Sequence, residues 1–341
     1  MLKIGTQPID SPFILAPLAG ISDLPYRMLN RRFGCRFAFT EMISASSILY
    51  GSRRTRKMIA DDPRDRPLGL QLLARDPDDV SRALEFIDPA SFNIIDLNAA
   101  CPVPKIVAKG QGAALMKDRQ RLTAILERLV RTVDLPVTVK IRTGWDDASV
   151  NAVEIARAAQ DAGAAAVFIH GRTRKQGYGG EVDYRTVGDV KKALAVPVIG
   201  SGDILSARLA SRMFAETGCD GVTVARGALG NPWIFREFEH FRAHGTEPAR
   251  PTASEIADVM IEHLNANAAF HGEKVGTMLF RKFFVWYSRG FSGLKRIREE
   301  AFSAETRGAM SSLIERLRQS ERAGAGGEDT EPAASGVRAL P

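Results

Sequence analysis

The segment Ile94-Ile-Asp96-Leu-Asn98-Ala-Ala-Cys101-Pro102 sets a thiol three residues beyond an asparagine, at the end of an apolar run. A thiol with an ordinary pKa near ~8.5 keeps its proton at neutral pH, so it can serve as a general acid. The connection 99–118 spans about twenty residues, carries Lys105, Lys109, Gly110 and Gly112, and is of a length that inside a compact domain is usually functional. A mobile loop that closes over substrate is the expectation. The other two cysteines, Cys35 in Phe-Gly-Cys-Arg and Cys219 in Thr-Gly-Cys-Asp, each precede an apolar run and read as small buried residues. Three widely spaced cysteines supply neither a disulfide framework nor a zinc ligand set.

Lys140 and Arg142 close a second apolar run. An unpaired ammonium at the end of a buried strand costs several kcal/mol, so Lys140 should face an anion or an electron-rich ring. A salt bridge to Asp96 or Glu41, the negative charge of a reduced flavin, and a Schiff base are all open readings. Gln71 fits either a capped loop or the pyrimidine edge of a flavin, because its amide both donates and accepts. In Gly200-Ser201-Gly202-Asp203 the glycines let backbone N–H groups approach an anion, and Arg226-Gly227 adds a fork of donors. A phosphate site is expected there.

These residues need elements to hold them on one surface. Eight apolar runs, at 13–16, 37–40, 68–72, 94–97, 137–141, 167–170, 198–200 and 222–225, alternate with helix-length segments such as 78–87, 122–132, 150–162, 186–194 and 207–216. Continuous apolar runs indicate strands buried on both faces, as in a parallel sheet. Eight such units predict an α/β fold, a (β/α)8 TIM barrel, in which active sites form at the C-terminal ends of the strands. The residues named above all fall there, as does His170-Gly-Arg172-Thr-Arg174. A doubly wound open sheet fits less well, since no Gly-x-Gly-x-x-Gly follows the first run.

After about Glu247 the pattern changes. Pro248 and Pro251 break the chain, Thr252-Ala-Ser-Glu255 reads as a capping box, and the periodicity to about Ser320 is helical. The expected organisation is a catalytic barrel at 1–245, a helical bundle at 246–320 and a disordered tail at 321–341. With 45% apolar and 26% charged residues, and neither a membrane-length apolar stretch nor a charged-then-apolar leader, a cytoplasmic location is expected. The net charge of +7 over 341 residues suits a polyanionic partner.

Taken together, Ala16-Pro-Leu-Ala-Gly-Ile-Ser-Asp23, Thr40-Glu-Met42, Asn98-Ala-Ala-Cys-Pro-Val-Pro-Lys105, Lys140-Ile-Arg-Thr-Gly144, His170-Gly-Arg-Thr-Arg-Lys-Gln-Gly-Tyr178 and Ala225-Arg-Gly-Ala-Leu-Gly-Asn-Pro-Trp233 resemble the tRNA-dihydrouridine synthases, the bacterial DusB branch above all. The resemblance runs from about residue 10 to 245 and more loosely beyond. It implies FMN held by Pro17, Leu18, Ala19, Gln71, Lys140, Ser201, Gly202, Asp203, Ala225 and Arg226, with His170 lining the same pocket. It also implies that Cys101 protonates C5 of uracil while hydride goes from FMN to C6, and that Asn98, Arg142 and Tyr178 contact the flipped-out base. Three positions depart from the family pattern. Ser201 replaces the usual Asn, Ala225 the usual Gly before the arginine, and Ala100 the common Gly before the cysteine. NADPH is the expected reductant, entering the same pocket in turn, because no separate nicotinamide fold is visible.

An RNA substrate has its own support. Between Gly276 and Arg298 stand Arg281, Lys282, Arg289, Lys295, Arg296 and Arg298 with no acid, interleaved with Phe280, Phe283, Phe284, Trp286, Tyr287 and Phe291. Basic side chains neutralise phosphates, and the aromatics either stack on bases or form the bundle core, the second being favoured. Arg281, Lys282, Lys295, Arg296 and Arg298 are expected to contact tRNA. Arg172, Arg174 and Lys175 beside the pocket, with Arg53, Arg54, Arg56 and Lys57, extend that track. Uridine must be extruded from folded RNA to reach the barrel mouth. No membrane partner is expected, and the chain should act as a monomer. The rival readings are a flavin oxidoreductase on a free pyrimidine or enone, a Schiff-base aldolase using Lys140, and a non-catalytic RNA-binding protein.

Overall fold

A computed structural model describes residues 1–51, 53–60 and 62–320, with the side chains of Arg53 and Arg54 excepted. The tail expected at 321–341 lies outside the described residues. Two compact units are formed, one by Met1–Gly227 with Ile234–Gly245, the other by Ala228–Trp233 with the chain from Thr246 onward. The division therefore interrupts the first unit at 228–233 as well as falling after residue 245.

The first unit is a (β/α)8 barrel. Its strands are Phe13–Leu15, Phe37–Phe39, Leu68–Leu73, Ile94–Asn98, Val137–Arg142, Ala166–His170, Val198–Ser201 and Gly221–Val224; they are called strands 1 to 8 below. Each pairs in parallel with its sequence neighbours, and strand 8 returns to strand 1, which closes the sheet. A short added strand, Ile43–Ser44, pairs with strand 3. Val, Ile, Leu and Phe dominate because each strand is covered by side chains on both faces, inside the barrel and under the helices.

Helices that follow the strands begin on short polar residues. Asp23, Asp76, Asp118, Asp183 and Ser206 each accept a backbone N–H of the first turn. Such caps satisfy donors that the helix itself leaves open and fix where each loop must end.

Below the strands the barrel is plugged. The antiparallel hairpin of Leu2–Ile4 and Gln7–Ile9 sends Leu2, Ile4 and Ile9 into one buried cluster with Ile14, Phe37, Phe39, Ile94, Ala166, Phe168 and Ile199. The Phe39 and Phe168 rings meet edge to face, with centroids 5.3 Å apart. Gly69 is required opposite them, since a side chain there would overlap the Phe39 ring. The inward positions above this floor are polar, so the floor separates a dry base from a chemically active mouth.

The second unit contains helices Ala253–His271, Glu273–Tyr287, Lys295–Ser303 and Arg307–Arg318. The capping box forms as its spacing predicts: Thr252 N–H donates to Glu255 Oε2 at 2.7 Å, and Glu255 N–H to Thr252 Oγ1 at 3.2 Å. Phe280, Phe283, Phe284, Tyr287 and Phe291 are buried with Met260, Leu264 and Ile314, so these aromatics form the core of the bundle. None of the helices described is long and apolar enough to cross a membrane.

Candidate active site

Alternation along the strands decides what the mouth contains. Thr138, Lys140 and Arg142 share one face of strand 5, and Ala166, Phe168 and His170 share one face of strand 6. In register with them stand Asp96, Asn98 and Ser201 on the flanking strands.

A directional chain of hydrogen bonds runs from the wall to the Cys101 loop. Thr138 Oγ1 donates to Asp96 Oδ1 at 2.6 Å and Gln71 Nε2 to Asp96 Oδ2 at 2.7 Å. Asn98 Nδ2 then donates to Gln71 Oε1 at 2.8 Å, and Asn98 Oδ1 accepts the N–H groups of Ala100 and Cys101 at 3.0 and 2.8 Å. A carboxylate only accepts, so it fixes which end of each amide faces which neighbour. Burial pushes the Asp96 carboxyl up to about 6, against the donors Thr138 and Gln71 and the charge of Lys140. Gln71 and Asn98 thus brace the loop that carries the thiol.

That connection is folded down over the thiol. It contains a helical turn, Pro104–Val107, and a 3-10 turn, Gly112–Lys117. Ala113 N–H donates to Cys101 O at 3.0 Å, and a Cβ at Gly112 (φ +59°) would come 2.8 Å from the same oxygen. Cys101 is 6% exposed. Burial raises its pKa, while the Val103 backbone and the charge of Arg142 pull it down.

Arg142 fastens two loops. Its Nε donates to Ala100 O at 2.6 Å, and its Nη1 to Thr173 O at 2.9 Å and Gly177 O at 2.8 Å. The Tyr178 ring, 53% exposed, has the guanidiniums of Arg142 and Arg226 at 5.5 and 6.0 Å from its centroid.

Lys140 is partly buried and forms no ion pair with a carboxylate among the described residues. Its Nζ lies 3.4 Å from Ser201 Oγ, and burial lowers its pKa to about 8. The salt bridge to Asp96 or Glu41 is therefore not made; Glu41 accepts the Gly20 N–H instead and holds the turn after Pro17, Leu18 and Ala19. Ser201 Oγ donates to Ile169 O at 3.2 Å, which makes His170 Nδ1, 3.3 Å away, the donor toward it. His170 Nε2 is then a bare acceptor, and it is buried without a partner. Burial, then the charges of Arg142, Lys140, Arg172 and Arg226, hold this imidazole well below its usual pKa, hence neutral.

Beyond strand 7, Gly202 (φ +137°) and Asp203 (φ +49°) turn the chain sharply, and a Cβ at Gly202 would meet Val182 at 2.8 Å. The Asp203 carboxylate takes Arg172 Nη1 at 3.1 Å and is bonded also by Arg172 Nη2 and by Arg226. Burial would raise its pKa, but the two guanidiniums hold it low. Arg172 is 2% exposed, and its other bonds go to Gly180 O, so it secures a loop from inside and is turned away from the surface track expected of it. Ala225 precedes Arg226 at the end of strand 8. Four cations (Lys140, Arg142, Arg172, Arg226) against three carboxylates (Glu41, Asp96, Asp203) leave the mouth electropositive.

The family model described as dihydrouridine synthase matches residues 14–321. The chain belongs to the dihydrouridine synthase family. It is 38% identical over 301 residues to a Pseudomonas aeruginosa protein named tRNA-dihydrouridine synthase B, covering 88% of this chain and 90% of that protein. To a Rickettsia conorii protein named probable tRNA-dihydrouridine synthase it is 37% identical over 323 residues, 94% and 95% of the two chains. Among solved structures, an old yellow enzyme homologue from Zymomonas mobilis superposes with TM-score 0.53 at 12% identity, covering 72% of this chain and 92% of that one. A histamine dehydrogenase from Rhizobium sp. 4-9 gives 0.55 at 13% identity, with 94% and 64% covered. Those two share the barrel fold. As a dihydrouridine synthase family member the chain is an oxidoreductase, and its rim residues are read as such below.

The basic residues of the second unit divide into two kinds. Arg281 donates to Ala304 O at 2.9 Å, and Arg298 to Ser288 Oγ at 2.8 Å, Ser288 O at 2.5 Å and Phe291 O at 3.4 Å. Both close helix ends of the dihydrouridine synthase bundle. Lys295 and Arg296 are exposed, Arg296 pairing with Glu300 at 3.0 Å, and Lys282 lies over the Phe283 ring at 5.3 Å. Arg298→Ala should therefore lower unfolding stability by about 1–2 kcal/mol, because charged hydrogen bonds to carbonyls are lost. Arg296→Ala should stay within roughly 0.5 kcal/mol in the same denaturant titration.

Sequence reasoning missed Thr138 as the anchor of the amide chain and Arg172 as the partner of Asp203. The alternation Thr138-x-Lys140-x-Arg142 carried the first signal; nothing local carried the second.

Proposed function

We propose that this enzyme reduces uridine in tRNA to 5,6-dihydrouridine with FMN and NADPH, using Cys101 as the proton donor. The observation that carries the proposal is a protonated, loop-braced thiol on an electropositive barrel mouth, in a chain of this family. The mouth fits a flavin by its own chemistry. Lys140 forms no ion pair among the described residues, His170 Nε2 is a buried acceptor without a hydrogen-bond partner, and Gly202 and Asp203 turn the chain sharply beside Arg226. In this reading Gln71, Lys140, His170 and Ser201 hold the ring, Pro17, Leu18 and Ala19 border it, and Gly202, Asp203, Ala225 and Arg226 hold the phosphate end. Ser201 in place of the usual Asn serves here as the contact between Lys140 and His170.

A flavin held by these residues would supply the hydride for C6 of the uracil, with NADPH as its reductant. Cys101 releases its proton to C5, and the thiolate recovers one from solvent. Raising the thiol pKa by burial keeps that proton in place until substrate arrives, and the cation of Arg142 steadies the thiolate left behind. Tyr178 offers an exposed ring for the extruded base, with Asn98 and Arg142 aligning it. Lys282, Lys295 and Arg296 remain the bundle residues suited to RNA phosphates. Such a reductase works in the cytoplasm and on no membrane.

The test is dihydrouridine mapping in tRNA from cells lacking this protein, joined to stopped-flow oxidation of the NADPH-reduced enzyme. The reading requires specific uridines to go unreduced, and tRNA lacking dihydrouridine to reoxidise the flavin. Fast reoxidation by free uracil but not by that tRNA would establish the small-molecule rival instead.

A further inference from the structure

Three loops of the barrel mouth meet at Trp145. Lys117 Nζ lies 4.7 Å from the centroid of its ring, and the Arg174 guanidinium carbon also lies at 4.7 Å. The exposed Lys175 follows, its N–H donating to Trp145 O at 2.9 Å, while Arg174 N–H donates to Gly144 O at 2.9 Å. None of the three cations forms an ion pair among the described residues. Arg174 Nε is buried and makes no hydrogen bond. Of the neighbouring acids, Asp118 caps a helix and pairs with Arg121 at 2.8 Å, and Asp146 and Asp147 form no ion pair with the three among the described residues.

Two cations gathered on one indole, with a third beside them, repel each other and leave donors unanswered. An anion answers both. Its place relative to the pocket is set by the loops. Lys117 ends the 3-10 turn whose Ala113 N–H holds Cys101 O. Arg174 lies between Thr173 and Gly177, whose carbonyls Arg142 holds. The cluster therefore stands one step outside the two loops that present Cys101 and Tyr178.

We propose that Lys117, Trp145 and Arg174, with Lys175, form a phosphodiester-binding subsite that holds the RNA strand next to the uridine inserted at Cys101. The proposal rests on the tRNA reading above and adds to it where the strand is gripped. Trp145 serves to gather the positive charges, and the exposed ammoniums of Lys117 and Lys175 supply donors that a phosphate oxygen completes.

Lys117→Gln, Arg174→Gln and the double variant test it, with an unmodified tRNA transcript as the probe and binding measured across roughly 50 to 200 mM salt. The double variant should bind on the order of tenfold more weakly at the low-salt end, and its slope of log K against log salt should shrink by roughly one to two. Lys117→Arg should restore most of the single loss. Thermal melting and flavin content serve as folding controls. Wild-type affinity and slope in the double variant would refute the subsite while leaving the tRNA reading intact. Variants that melt early and shed flavin would assign the cluster a structural role and likewise refute it. A wild-type protein that does not bind tRNA would overturn the reading and the subsite together.

Discussion

Cys101→Ala is expected to yield a folded protein that retains its yellow colour but reduces normal tRNA roughly 10²–10⁴-fold more slowly, the usual contribution of a positioned general acid. The fold should tolerate the change because the loop is held by its backbone. Asn98 Oδ1 takes the N–H groups of residues 100 and 101, Arg142 takes the carbonyl of residue 100, and Ala113 takes that of residue 101. None of these bonds involves the thiol. The pH profile sharpens the test. A general acid works while protonated, so activity is present below its pKa and lost as pH rises through it. Burial raises the Cys101 pKa, which places the falling limb above the ordinary thiol range, and the alanine variant should lack that limb. On the acid side, the Asp96 carboxyl, pushed up to about 6 by burial, accepts a proton as pH falls. Gln71 then loses its acceptor and the amide chain to Asn98 loosens, so wild type and variant should both decline there. A Cys101→Ala enzyme with wild-type rates on tRNA would remove the assigned role.

Lys140→Met should separate stability from function. Burial lowers the Lys140 pKa to about 8, so at neutral pH the folded protein holds a charge that it disfavours relative to the unfolded chain, whose lysine titrates near ~10.4. For a lysine depressed in this way the destabilisation is fully present below the folded pKa and fades as pH rises toward the unfolded one. Methionine, similar in length and uncharged, should raise stability by about 1–3 kcal/mol at pH 7. The same change should cost most of the flavin content or at least ~10²-fold in turnover, since an electropositive group facing the reduced ring is gone. A variant less stable than wild type would mean that the attraction of Asp96 and the Ser201 contact outweigh the desolvation of Lys140. Covalent trapping of wild type by borohydride with a carbonyl compound would point to an aldolase instead.

How far the sequence reached follows from what each feature depends on. All eight barrel strands were legible within a residue or two, because burial on both faces writes a strand as an unbroken apolar run. The capping box at Thr252 and Glu255 was equally plain, being a contact between near neighbours in sequence. The hairpin at the N-terminus was not legible, since three-residue strands such as Leu2–Ile4 lack a readable period. Partners distant in sequence were the main loss. Arg172 and Arg174 look alike as a basic pair, yet Arg172 turns inward to Asp203, 31 positions away, while Arg174 stays at the rim. Arg298 likewise resembled its exposed neighbours Lys295 and Arg296 until Ser288 was found beneath it. The type of charge was readable and its direction was not. Cys101 shows the same limit: its position on the rim followed from the strand, whereas the bracing around it depends on Gly112 folding back over it.

The tie made by Arg142 has a bearing on how this chain can change over generations. One guanidinium joins the segment that bears the acid to the segment that bears Tyr178. Neither segment can drift in shape without disturbing the other through that shared side chain. Substitutions near Ala100 and near Thr173 should therefore be strongly epistatic, harmful singly and tolerated in compensating pairs.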